Sequence, residues 1–352
     1  MEFGMFHEFQ RVPSQTESAA FAESFEQVDA AERWGLDAMW LAELHVAPER
    51  SVLAAPLTIA SAIATRTTRM MIGIAVQVLP LCHPLRLAEE AATVDHISHG
   101  RLIFGVGRSG FPRTYEAYGI PYAESRERFA EVLEIVRRAW TQERFSFDGR
   151  FYKFDNVCLV PKPYQTPHPE IRIAATSPDT YPAIGRLGYP IFCAVRLGTL
   201  SELVPNLLAY REAYAAAGHP GRGRVFLRVP VYVAETEARA RAEPQDSIMH
   251  FYRYLGAQLA DSASRAGARA IEQRAERGQR LQTIDYDEVL REKIIVGTPR
   301  MVADRLHALH EELGLDGILA EMNCGSRIPH VQVLRSLELL CQTVMPEFGR
   351  PN

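Results

Sequence analysis

Short apolar runs alternate with longer segments of helical period eight times along this chain, and that alternation limits the fold more than any other feature. The runs are FGMF (3–6), DAMWLA (37–42), MMIGIAVQVL (70–79), RLIFGVG (101–107), IRIAAT (171–176), PIFCAV (190–195), VFLRVPVYVA (225–234) and GILAEM (317–322). Most lack polar alternation, as strands of a parallel sheet do when both faces are covered. Between them, residues 18–34 place Phe21, Phe25 and Val28 on one stripe, and residues 124–142 do the same with Phe129, Val132, Leu133 and Val136. Further helices are predicted near 52–66, 84–97, 178–188, 200–217, 299–313 and 330–345. The one at 299 opens on Thr298-Pro299, an N-cap followed by proline at the first helical position. Such alternation predicts an α/β protein, a (β/α)8 TIM barrel.

Two segments exceed the repeat. Residues 143–168, after the fourth helix, read as a hairpin turning at Asp148-Gly149 and then a proline-rich connection. Residues 235–293, after the seventh strand, are rich in Ala, Arg, Glu and Gln, and an insertion of that length predicts a lid. No linker or short repeat interrupts the chain, so residues 1–352 are expected to form a single domain. The net charge of −4 carries no polyanion-binding signal, and a nucleic-acid partner is not expected. The five cysteines (Cys82, Cys158, Cys193, Cys324, Cys341) are widely spaced without a C-x-x-C pair, which suits free thiols in a reducing compartment. The opening MEFGMFHEFQ lacks a basic start and a long apolar run, and no stretch approaches a membrane span. A cytoplasmic protein without membrane attachment is the expectation.

The stretch RLIFGVGRSGFP (101–112) spells G-x-G-x-x-G through Gly105, Gly107 and Gly110. A dinucleotide-binding reading needs these glycines to open a helix after the first strand. Here they follow the fourth, and Pro112, Gly119 and Pro121 argue against a helix starting at the glycines. A nucleophile elbow fails as well, because Phe111 stands where G-x-S-x-G around Ser109 requires glycine. At a barrel's strand C-termini the glycines would admit a ligand and Arg108 would offer a planar fork to phosphate oxygens. A tight turn with a solvated arginine fits the spacing equally well.

Together with MEFGMF, WGLDAMWLAELH (34–45), VLPLCHPLRLAEEAATVDHISHGRLIFGVGRSG (78–110), AATSPDTYPAIGRLGYPI (174–191) and IVGTP (295–299), the chain resembles the bacterial luciferase-like, flavin-dependent monooxygenases from end to end. That resemblance implies a barrel binding FMN at the strand C-termini and a homodimer formed through the helices near 56–66 and 84–97. It also implies two-component chemistry, in which a separate NAD(P)H–flavin reductase supplies reduced FMN. Oxygen then reacts through a flavin hydroperoxide to oxygenate a small organic substrate. Arg108 matches the family's phosphate arginine, and Thr176, Ser177 and Thr180 match its second phosphate loop. Gly107 and Ser109 flank the arginine, and Ala75-Val76 match the place where several members carry a non-prolyl cis peptide against the flavin ring. The alternatives are a deazaflavin-dependent dehydrogenase or reductase and a non-catalytic flavin-binding barrel. Luciferases read EHH after the second strand, with the first histidine catalytic. This chain reads Glu43-Leu44-His45, which argues against light-emitting aldehyde oxidation.

His45, at a strand end, is the best available general acid or hydrogen-bond donor and the expected catalytic residue. Glu43 is expected to buttress the barrel end, and Asn323 to line the pocket. His83 has a family counterpart near the flavin, with helix capping an equal alternative. His96 with His99, and His307 with His310, have i, i+3 spacing but lack further ligands, so no metal site is expected. Trp34, Trp40 and Trp140 read as packing residues.

Overall fold

The computed structural model describes residues 1–12, 14–195, 198–265 and 271–349. Eight parallel strands close on themselves: β1 (Glu2–His7), β2 (Ala38–Leu41), β3 (Met71–Ile74), β4 (Leu102–Gly107), β5 (Glu170–Ala174), β6 (Ile191–Ala194), β7 (Val225–Val233) and β8 (Gly317–Glu321). Each pairs with the next, and β8 returns to β1 in a register running from Glu2↔Gly317 to Met5↔Ala320. One barrel helix follows each strand: α1 (Glu17–Trp34), α2 (Pro56–Arg66), α3 (Pro84–Ile97), α4 (Ser125–Thr141), α5 (Thr180–Leu187), α6 (Leu203–Ala216), α7 (Pro299–Leu313) and α8 (His330–Leu339). This is the (β/α)8 barrel that the alternation predicts.

Local chemistry sets the helix ends. Thr298 accepts a hydrogen bond from the Met301 amide at 3.4 Å, Pro299 occupies the first turn, and Gly314 closes α7 in the left-handed region at φ 59°. Side chains fill the lower barrel. The Trp40 indole occupies space that a Cβ at Gly4 or Gly73 would enter, since such atoms would lie 2.3 and 2.0 Å from the ring. The Arg172 guanidinium lies 3.6 Å from the Phe226 ring centre and 4.8 Å from that of Trp40. It reaches Glu2 at 2.9 Å and Glu170 at 2.6 Å, both at strand N-termini. The interior is therefore a packed plug, and a ligand must sit at the other rim.

Several elements differ from expectation. The run at 70–79 is broken: β3 ends at Ile74, the Ala75–Val76 peptide is cis, and Gln77–Val78 then pair with the end of β4. Pro112 begins a short helix, Pro112–Ala117, because a proline in the first turn forfeits no intrahelical hydrogen bond. The last helix ends at Leu339, and a π turn (Leu340–Val344) and a 3-10 turn (Met345–Phe348) continue it. The hairpin pairs Phe145–Asp148 with Lys153–Val157. The long insertion forms helices Glu237–Ala242, Gln245–Ala263, Ile271–Thr283 and Tyr286–Glu292, with residues 266–270 of the expected lid outside the described residues. A short strand, Ile295–Gly297, then extends the sheet beside the end of β7. Among the described residues, no helix is long and apolar enough to cross a membrane.

Candidate active site

The glycine stretch ends β4 at the barrel rim. A Cβ on Gly105 would lie 1.8 Å from the Ile74 carbonyl oxygen, and one on Gly107 would lie 2.5 Å from the Val76 side chain. These two glycines let β4 approach the cis peptide segment, a strand-packing demand that motif spacing does not reveal. Beyond them Ser109 adopts φ 57°, and the Tyr115 hydroxyl donates to the Arg108 carbonyl.

Arg108 is half-buried and donates to the Ser125 hydroxyl at 3.2 Å. Among the described residues it has no carboxylate within ion-pair distance, and burial pushes its pKa below the usual guanidinium value. A desolvated, unpaired cation is unfavourable unless an anion joins it. Close by, the loop after β5 folds into a tight turn. The Thr176 and Ser177 amides each donate to the Thr180 hydroxyl at 3.3 Å, which donates onward to the Ser177 carbonyl at 2.6 Å. Thr180 thus shapes the loop from within. The Ser177 hydroxyl donates to Asp179 at 2.6 Å, and Arg126 reaches the same carboxylate at 2.5 Å. These two donors hold the Asp179 carboxyl below its ordinary range. Ser125 touches Arg108 and its neighbour Arg126 touches Asp179, so the start of α4 joins Arg108 to the 176–180 loop. Arg126 escaped the sequence reading, which judged that helix by its apolar stripe alone. The chemistry of this rim (an unpaired guanidinium, a hydroxyl loop and a helix start) fits a phosphate-bearing cofactor.

A polar chain crosses the wall of the rim beyond β2. Glu43, just past β2, accepts from the Gln77 side chain at 2.6 Å, the Val78 amide at 2.7 Å and His45 Nε2 at 2.7 Å. The other ring nitrogen of His45 bonds the Tyr118 hydroxyl at 3.0 Å. Glu43 is therefore the expected buttress, and it also orients His45. Tyr118 and Gln77 had no sequence signal, because neither belongs to a motif and both meet His45 or Glu43 only through the fold. Val46, the next residue, takes φ 55°, a costly conformation for a β-branched side chain.

Between this wall and helix Gln245–Ala263 lies a pocket lined by Leu44, Val78, Phe111, Tyr254 and Leu255, among others. The insertion is fastened to the Arg108 segment. Arg274 donates to the Gly110 carbonyl at 3.0 Å and the Tyr122 hydroxyl at 3.2 Å, and Arg265 pairs with Glu116. Leu44, where the luciferase pattern carries histidine, packs against the core and lines this pocket.

Other candidates lie elsewhere. His83 takes the N-cap position of α3 without a capping bond, its ring against Tyr152 and Phe154 of the hairpin at 5.7 and 6.0 Å. Asn323 bonds the amide and carbonyl of Ile328 and so closes its own loop. His96 bonds the Lys162 carbonyl, His99 faces Tyr164, His307 stacks on Phe348, and His310 bonds the Leu315 carbonyl. Among the described residues, no three His, Cys, Asp or Glu gather as metal ligands. Trp40 and Trp140 pack in the core, and Trp34 is partly buried against it.

Comparison with known proteins matches this architecture to one family. The model of the luciferase-like monooxygenases matches residues 1–317. The oxygenase component of a flavin-dependent trigonelline monooxygenase from Acinetobacter baylyi is 27% identical over 99% of this chain and 96% of its own. The crystal structure of a monooxygenase, RslO1, from Streptomyces bottropensis superimposes with a TM-score of 0.78, at 27% identity, covering 99% of this chain and all of that one. An F420-dependent glucose-6-phosphate dehydrogenase from Kineococcus radiotolerans is 30% identical over 60% of this chain and 64% of its own. The reaction is of the oxidoreductase kind, a monooxygenation with molecular oxygen. With its closed barrel and a match over nine-tenths of its length, the chain belongs to the luciferase-like monooxygenases.

Proposed function

We propose that this protein is the oxygenase of a two-component system, taking reduced FMN from a separate NAD(P)H–flavin reductase. The observation that carries the reading is Arg108, a desolvated guanidinium without a carboxylate partner among the described residues, beside the Thr176–Thr180 loop. It is supported by the full-length similarity to a protein named as the oxygenase component of a flavin-dependent enzyme. Arg108, Ser177 and the amides around Ser109 would hold the phosphate, and Gly107, Ala75 and Val76 would support the ring. Bound reduced FMN supplies the activation of oxygen. The chain's own groups do the rest. The insertion and Leu44 keep water from the reacting centre, and His45, which lines the pocket, is held between Glu43 and the Tyr118 hydroxyl.

Flavin titration of wild type and Arg108→Ala tests this. Charge-assisted hydrogen bonds to phosphate contribute about 1.5–3 kcal/mol, so FMN affinity should fall roughly 10- to 150-fold. Riboflavin, which lacks the phosphate, should lose far less; an equal loss for both would remove Arg108 from its role. The F420-named relative favours one second reading, hydride transfer with a deazaflavin. Reduction of oxidised F420 by an alcohol substrate, without oxygen uptake in the presence of reduced FMN, would decide for it.

A further inference from the structure

The pocket between the Glu43–His45 wall and helix Gln245–Ala263 carries charge that the oxygenase reading leaves unused. Arg50, in the loop after β2, is nine-tenths buried and lines it. Its Nε and Nη2 fork onto the two carboxylate oxygens of Glu8, with Nε at 2.6 Å, and the Phe251 ring centre lies 5.5 Å from the guanidinium carbon. These contacts fix the side chain. Its remaining nitrogen, Nη1, has no hydrogen bond among the described residues. Arg113, on the short helix Pro112–Ala117, lines the same pocket, is exposed, and makes no ion pair among the described residues.

The acceptors of this wall are already engaged. Both Glu43 oxygens are taken by His45, Gln77 and Val78. Glu8 is forked by Arg50 and also reached by Arg228 at 3.1 Å. The charged groups with spare capacity are therefore donors, and Arg113 makes no close ion pair among the described residues, the Asp261 carboxylate acting on it only from a distance. Around them Leu44, Val78, Phe111 and Leu255 supply apolar surface. A fixed guanidinium nitrogen beside an apolar wall suits one oxygen of an anion joined to a hydrocarbon body.

We infer that the substrate is a small organic acid, its carboxylate held by Arg50 Nη1 and drawn in by Arg113, its apolar body lying against Leu44 and Leu255. The inference rests on the oxygenase reading for calling the ligand a substrate, but the binding itself can be measured apart from it. Calorimetric titration of the full chain would compare three acids with their neutral methyl esters: benzoate, cyclohexanecarboxylate and hexanoate. At least one acid should bind, with its ester about tenfold weaker or more. Arg113→Ala should weaken the acid severalfold and reduce the salt dependence of its binding. Arg50→Lys, which keeps a cation beside Glu8 but has no Nη1 to spare for the ligand, should weaken it about tenfold or more. Equal affinity for acids and esters, no binding by any acid, or acid binding indifferent to both substitutions would overturn the proposal. Should Arg50→Lys fail to fold, Arg113→Ala and the acid-to-ester ratio still decide. FMN titration of the same samples separates the two readings. Acid binding without FMN binding would sink the oxygenase reading alone, and the reverse would sink this one.

Discussion

At the residue scale, the tautomer of His45 follows from its partners. An ionised carboxylate only accepts hydrogen bonds, so the proton between His45 and Glu43 belongs to Nε2. In the neutral imidazole Nδ1 then carries the lone pair, and the Tyr118 hydroxyl must donate to it. Were both ring nitrogens to donate, the Tyr118 hydroxyl could only accept, and its hydrogen would turn away from the ring. Nitrogen-15 spectra should show a protonated Nε2 and a bare Nδ1 in the neutral state. Glu43→Gln should dissolve that preference, because an amide can offer either its oxygen or its NH2. Tyr118→Phe should leave the tautomer intact yet lower kcat by roughly 10²-fold or more if its proton is used in the reaction. A variant that keeps full activity would remove Tyr118 from the chemistry.

At the scale of elements, the insertion shows what glycine can mean inside a helix. Gly256 and Gly278 lie where helices Gln245–Ala263 and Ile271–Thr283 cross. A Cβ on either would lie 2.6 or 2.9 Å from the other's carbonyl oxygen. From sequence alone Gly278 only weakens a helix, by about 1 kcal/mol relative to Ala; in the fold it permits backbone contact. Gly278→Leu should splay the pair and release the Arg274 and Arg265 contacts. Hydrogen exchange should then speed by about tenfold or more across 245–265 and 271–292 while β1–β8 keep their protection. Unchanged exchange would mean that the crossing does not hold the insertion in place. The same contrast governs what was legible beforehand. The eight strands, the helices at 84–97 and 299–313, and the hairpin follow from periodicity and caps, which are local. Arg108 and the 176–180 loop are candidates that motif and resemblance supply. Tyr118, Gln77, Arg126 and Arg50 are not, because each acquires its role from a partner on another element.

At the scale of the whole molecule, a packed plug and the candidate site lie at opposite ends of the barrel axis. The Arg172 plug, with Glu2, Glu170 and Trp40, closes one end, and Arg108, His45 and the insertion occupy the other. Arg172→Met would leave Glu2 and Glu170 without this shared partner. Breaking a buried ion pair costs roughly 3–5 kcal/mol, and the partial exposure of both carboxylates places this case at the lower end. Tm should fall by roughly 5 °C or more, with FMN affinity unchanged. The pH dependence supplies an internal check. Burial raises the Glu170 pKa, but Arg172 and Arg224 outweigh that and hold it below 4.5. A carboxyl with a depressed folded-state pKa contributes stability that is complete above its unfolded value and fades as pH falls through the lowered one. The stability gap between wild type and Arg172→Met should therefore be widest near neutrality and narrow as pH drops below 4.5. A constant gap down to acid pH would mean that Arg172 acts by packing against Phe226 and Trp40, with little contribution from its charge. Loss of FMN affinity in this variant would show that the two ends of the barrel are coupled.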